Sequence, residues 1–161
     1  MFNLKAEFYL KVIFSFSFIA LISAFFIEYI LGHQPCNLCL IERIPYGLSI
    51  MIIMAIFLIK KNQKFLVLLL ILTFSFSFAI SFYHFGIEQG FFQESSLCGV
   101  KSSTEIVTKE DLLKQLSEKT ISCKDVTFRI FGLSLTSINI VISLLFIITL
   151  LKILKKYEKN R

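Results

Sequence analysis

Cys36 and Cys39 form a Cys-x-x-Cys pair, and Arg43 follows one helical turn after the second cysteine. On a helix these positions fall at i, i+3 and i+7, so two sulfurs and a fixed positive charge share one stripe. A dithiol at a helix start is suited to disulfide exchange. The backbone dipoles and a nearby cation lower a thiol pKa, and the thiolate is both attacker and leaving group. Pro45 complicates the register, because it denies the helix the backbone bond back to Ile41 and allows a start only at Ile44 or Pro45. The dithiol would then lie in a loop, with Arg43 reaching sulfur by its length. The competing chemistry for a lone Cys-x-x-Cys is a zinc half-site. Four-coordinate zinc wants a second closely spaced pair or histidines nearby. Cys98 and Cys123 have loop-closing spacing instead, so no metal is expected.

The elements that hold this pair are apolar. Of 161 residues 56% are hydrophobic and only 17% charged, which excludes an ordinary soluble domain. Four nearly charge-free stretches, about 8–31, 44–59, 65–85 and 131–151, approach the roughly 20 residues needed to cross a bilayer as helices. The expected fold is an all-α membrane protein. It is a single four-transmembrane-helix bundle, with a short loop at about 32–43 and one long non-cytoplasmic loop at about 86–130. The second span reaches full length only if its helix begins near the cysteines. The alternation Phe74-Ser75-Phe76-Ser77-Phe78 has the period of a strand, but the uninterrupted apolar length argues against a barrel. Its serines allow close helix approach. The first span is too long for a signal-peptide core and no small-residue cleavage site follows it, so it is expected to be retained.

The net charge of +6 is not a nucleic-acid footprint, because the basic residues sit at span ends. Lys5, Lys11, Lys60, Lys61, Lys64, Lys152, Lys155, Lys156, Lys159 and Arg161 flank the spans on one face, against the acids Glu7 and Glu158. By the positive-inside rule both termini and the Lys60 to Lys64 turn are cytoplasmic. All four cysteines then lie in loops on the opposite face, which in a bacterium is an oxidising compartment. The expected location is the inner membrane with the cysteines on the periplasmic side.

Cys98 and Cys123 alone suit a structural staple. Held in an exposed loop opposite the dithiol, they suit a relay, reachable by a soluble protein and able to swing back to Cys36 and Cys39. Within that loop Thr108-Lys109-Glu110-Asp111 resembles a helix cap, followed by Leu112, Leu113 and Leu116 on one face of a short helix. Electrons reaching a membrane dithiol need an exit, and no haem motif is visible, so the expected sink is a lipophilic quinone. Arg43 would stabilise the Cys39 thiolate and charge developing on a quinone oxygen. His84 is the second candidate for contact with the quinone. It lies at i, i+4 to Glu88 if the helix continues past Gly86. Glu28, an acid near the outer end of span 1, is read as exposed at the interface.

Cys36-Asn37-Leu38-Cys39 with Glu42-Arg43, Tyr83-His84-Phe85-Gly86-Ile87-Glu88, the separated Cys98 and Cys123, and Phe131-Gly132-Leu133-Ser134-Leu135 together resemble the DsbB family. Members are membrane thiol oxidoreductases that reoxidise a periplasmic thioredoxin-fold (DsbA-like) oxidase and pass electrons to quinone. The resemblance implies catalytic roles for Cys36, Cys39, Cys98 and Cys123. Cys98 takes the mixed disulfide with the soluble partner. Cys123 is displaced and exchanges with Cys36, and Cys39 is left as the thiolate beside Arg43 and the quinone. Which quinone, ubiquinone or menaquinone, is not encoded in any residue pattern. Vitamin K epoxide reductase-like proteins carry the loop cysteines before the dithiol, the reverse of the order here. The alternative reading from another class is a non-catalytic four-span protein with two structural disulfides.

Overall fold

The computed structural model describes residues 4–59, 62–93, 98, 123–124, 129–130 and 133–159. Four helices account for most of them: α1 (Leu4–Tyr29), α2 (Asn37–Leu58), α3 (Gln63–Glu88) and α4 (Leu135–Lys159). All four are long and apolar enough to cross a membrane, so the all-α four-span bundle expected from the sequence is borne out. A two-rung antiparallel ladder, β1 (Arg129–Ile130) with β2 (Leu133–Ser134), leads into α4. The leucine-faced helix expected around Thr108 to Leu116 lies outside the described residues.

In sequence order the helices pack as neighbours: α1 on α2, α2 on α3, and α3 most extensively on α4. The core at one end of the bundle is aliphatic and aromatic, with Leu10, Ile13, Ile53, Ile56, Val67, Leu70, Phe74 and Leu150 buried together. Phe74 meets Phe146 edge-on at 5.0 Å between ring centroids, and Phe146 meets Phe16 at 5.4 Å. Large apolar side chains such as Phe18, Ile22, Met51, Phe76 and Leu145 face outward. In water that would be a liability, and in lipid it is the ordinary solvent-facing surface.

Small hydroxyl residues let the helices approach. Ser49 of α2 donates to Ser17 of α1 at 2.9 Å, and Ser143 of α4 donates to Ser77 of α3 at 3.2 Å. These four serines are fully buried, as close packing between membrane helices favours. The Phe-Ser alternation thus serves helix contact, with Ser77 inward and Phe76 outward.

Helix α2 starts earlier than Pro45 alone suggests. Cys36 is its N-cap residue, with extended backbone, and its sulfur accepts the Cys39 amide at 3.2 Å. The Cys36 carbonyl accepts the Leu40 amide, also at 3.2 Å. The first turn is therefore closed before the proline is reached, and Pro45 sits buried inside the helix. Losing a single backbone bond is tolerated in a membrane helix whose neighbours cover the site. The register of Cys36, Cys39 and Arg43 is helical, and the 22-residue helix is long enough to span.

Helix α3 runs through Gly86 to Glu88 and ends in a left-handed turn at Gly90, φ 78°. The Gly86 carbonyl accepts the amides of Phe91 and Phe92, and the Phe92 ring stacks on Tyr83. A Cβ at position 86 would lie 2.1 Å from the Phe92 ring, so any larger residue there displaces that ring from Tyr83.

The serine contacts predict an asymmetric response. Ser77→Leu overfills the α3–α4 seam and lowers stability by about 1–3 kcal/mol. Ser77→Ala loses one interhelical hydrogen bond, worth about 0.6 kcal/mol. Thermal unfolding in detergent distinguishes the two.

Candidate functional site

The cysteine end of the bundle is built around His84. Its ring is buried on α3, and its two nitrogens face different groups. Nε2 lies 3.6 Å from the Cys36 sulfur and 3.9 Å from Glu88 Oε1. Nδ1 lies 2.9 Å from Glu42 Oε1 and 3.3 Å from the Thr136 hydroxyl. Where Nδ1 donates to Glu42, Nε2 is the nitrogen that faces the sulfur. The arrangement has the order nucleophile, imidazole, orienting carboxylate.

Glu42 is held in turn by α4. Its Oε2 accepts from Asn139 Nδ2 at 3.2 Å, and Asn139 Nδ2 also donates to Ser81 at 2.7 Å. The Asn139 carbonyl oxygen accepts from the Tyr46 hydroxyl at 2.5 Å and from Ser143 at 3.4 Å. Thr136 donates to Glu88 Oε1 at 2.7 Å. One connected polar network therefore ties α2, α3 and α4 at the depth of the dithiol, where apolar surroundings strengthen each bond. Glu88 Oε2 is buried without a hydrogen-bond partner among the described residues.

The Cys36 and Cys39 sulfurs are 2.6 Å apart. The Cys39 thiol beside it is the chief cause holding the Cys36 thiol well below its usual range, and His84 adds to this by hydrogen bond and charge, against the opposing effect of burial. Cys98 and Cys123 pack into the same cluster with Cys36, Leu38 and Ile87. They are 1% and 3% exposed, so the expectation of an openly exposed pair is corrected: the apolar side chains at the α2 start and α3 end cover both sulfurs. Burial pushes the Cys123 thiol up, and hydrogen bonding with Cys98 and the charge and hydrogen bond of Cys36 add to it.

Arg43 points the other way, toward α1. It ion-pairs with Glu28, and its guanidinium lies over the Phe25 ring, 5.3 Å from the centroid. Glu28 is therefore not a freely exposed interfacial acid, as the sequence suggested; a cation fifteen residues on, brought back by the α1–α2 turn, partly buries it. His84 and Arg43 occupy different sides of the dithiol helix. Sequence reasoning placed Cys36, Cys39, Cys98, Cys123, Arg43 and His84 near one face. It assigned no role to Glu42, Asn139 or Thr136. Their signal was available, since polar side chains within apolar spans are functional candidates by default.

A bundle of four membrane-crossing helices with a dithiol set against a buried histidine and a carboxylate defines a multi-pass membrane protein of thiol–disulfide type. The family comparison is specific. The family described as disulfide bond formation protein DsbB matches residues 6–153, and the chain belongs to that family. Its function is accordingly that of a disulfide bond formation oxidoreductase. A Rickettsia prowazekii (strain Madrid E) protein, RP370, itself uncharacterized, is 31% identical over 152 residues, covering 93% of this chain and 88% of the relative. No solved structure matches the chain.

The site predicts the reactivity of Cys36 in the reduced protein. Because its thiolate is favoured, alkylation persists as pH falls, and the midpoint of rate against pH lies below the ordinary thiol value of about 8.5. His84→Ala moves that midpoint upward. Peptide mapping of the alkylated cysteines checks both, and a midpoint at or above the ordinary value contradicts the assignment.

Proposed function

We propose that the protein oxidises a soluble dithiol protein of the thioredoxin-fold, DsbA-like kind on the non-cytoplasmic face of a bacterial inner membrane and delivers the electrons to a membrane quinone. The observation that carries this reading is the gathering of Cys36, Cys98 and Cys123 in one buried cluster, with Cys39 packed against it. Two unrelated structural staples have no reason to converge.

In this scheme the partner's thiolate attacks Cys98 in a Cys98–Cys123 disulfide, and Cys123 leaves. The partner's second thiol then closes its own disulfide and frees Cys98. Cys123 passes its electron pair to the inner pair by attacking Cys36 in a Cys36–Cys39 disulfide, with Cys39 leaving as thiolate. Return of Cys98 to Cys123 regenerates the outer disulfide and leaves Cys36 and Cys39 reduced. His84 Nε2 holds or accepts the Cys36 proton, and Glu42 keeps the imidazole in the required orientation.

The residues beside Cys39 fit a quinone. Arg43 follows Cys39 by one turn, and its partly buried guanidinium lies against the Phe25 ring, with Leu40 and Ile44 exposed to lipid on the same helix. Glu28 engages one nitrogen of a group that carries five donors, leaving others for a carbonyl oxygen. A bound quinone supplies a sink for two electrons and two protons. Arg43 would orient its carbonyl toward Cys39, and the lipid-facing apolar wall would take its tail. His84 lies behind Cys36, and this reading assigns it to the sulfur.

Purified protein with added quinone is expected to oxidise a reduced thioredoxin-fold partner, and Cys36→Ser or Cys98→Ser should reduce turnover to background. A partner that lacks its second cysteine should accumulate a covalent complex through Cys98, because nothing then releases the mixed disulfide. Arg43→Met should raise KM for quinone about tenfold or more, the worth of a charged hydrogen bond, while Glu28→Gln retains the cation and much of the affinity. Undiminished turnover in the cysteine variants would overturn the scheme.

A further inference from the structure

The sequence argues against zinc because Cys98 and Cys123 are too widely spaced to serve as a second ligand pair for Cys36 and Cys39. The fold supplies a histidine from forty-eight residues away. Cys36 Sγ, Cys39 Sγ and a His84 ring nitrogen all lie within 4.8 Å of one another. We propose that the reduced dithiol, His84 and Glu88 form a redox-gated site for a thiophilic divalent cation such as zinc.

Three features support tetrahedral ligation. With Zn–S at about 2.3 Å and Zn–N at about 2.0–2.1 Å, tetrahedral angles set sulfur and nitrogen about 3.5 Å apart, and Cys36 Sγ stands 3.6 Å from His84 Nε2. His84 offers Nε2 while Nδ1 donates to Glu42, the carboxylate–histidine pairing that orients metal-bound imidazoles. Glu88 would supply the fourth ligand: its side chain is 6% exposed, its Oε1 is 3.9 Å from Nε2, and it must swing toward the two sulfurs to complete the set. Its Oε2 is the one buried side-chain oxygen or nitrogen without a hydrogen-bond partner among the described residues. Cys39 must rotate its sulfur about 1 Å away from Cys36 to reach the separation that tetrahedral ligation sets. Cys39 is only partly buried.

Binding exchanges two thiol protons for one dication and moves no electrons. When Cys36 and Cys39 join in a disulfide, two of the four ligands disappear, so the oxidised protein has no site. A bound cation would hold the dithiol reduced and stop exchange with Cys123 until it dissociated. The site does not depend on quinone coupling, so it and the proposed function can fail separately.

The test uses full-length protein in detergent, reduced and freed of reductant, titrated with cobalt(II) as the probe and then challenged with zinc. Reduced protein should take up one equivalent, with the absorption of tetrahedral thiolate-bound cobalt, and zinc should displace it. Oxidised protein should take up none. Cys36→Ser and His84→Ala should abolish that absorption, and Glu88→Gln should weaken binding about tenfold or more. The Cys98→Ser/Cys123→Ser double variant should bind as the native protein does. Equal uptake by oxidised protein, uptake indifferent to Cys36 or His84, or loss of uptake in the double variant overturns the site. Unchanged affinity in Glu88→Gln overturns the fourth ligand.

Discussion

An acid inside a membrane bundle must be partnered, and the Glu42–His84 contact is where this bundle meets that demand. Glu42 lies on α2, His84 on α3, and Asn139 of α4 closes the set. A carboxyl group stranded there would cost several kcal/mol, so the three helices are obliged to meet at this depth and in this rotation. The same rotation turns His84 Nε2 onto Cys36. Local chemistry and global packing are therefore one constraint: the pairing that makes the acid tolerable also aims the imidazole at sulfur.

From that point the organisation on either side follows. Toward one end the bundle is an apolar core centred on Phe74, with serine pairs Ser17–Ser49 and Ser77–Ser143 allowing close approach. Toward the other end the chain leaves α3 through the Gly90 turn and returns through the β1–β2 ladder, and the sulfurs of Cys98 and Cys123 are buried against the start of α2. Cys36 has two structural duties. Its sulfur caps α2 and also contacts His84, so any chemistry at that sulfur perturbs the helix start. Arg43 stands apart, anchored on Glu28 and Phe25 at the α1 side, and separates a lipid-facing side of the dithiol from its histidine-facing side.

Much of this was legible in residue order, and the exceptions have physical causes. Apolar length marked four spans because a bilayer leaves a helix little alternative. Helix ends were less legible. Pro45 suggests a late start to α2, but the Cys36 cap and the Leu40 bond close the first turn eight residues earlier. Glu28 looked like an interfacial acid because its partner Arg43 comes from the next helix, and a loop reversal joins them. The His84–Cys36 and Glu42–Asn139 contacts depend on the relative rotation of three helices, which no local periodicity specifies. Cys98 and Cys123 looked exposed because they lie in the long loop between spans, whereas their neighbours in space are Leu38 and Ile87.

Cys36, Cys98 and Cys123 share one buried cluster with Cys39 packed against it, so that Cys123 reaches Cys36 without rearranging the bundle. The most direct measurement uses the Cys39→Ser/Cys98→Ser double variant, mildly oxidised in detergent and mapped by mass spectrometry of its disulfide-linked peptides. An intramolecular Cys36–Cys123 disulfide is expected in nearly every molecule. Free thiols that resist oxidation, or disulfides formed only between molecules, would contradict it.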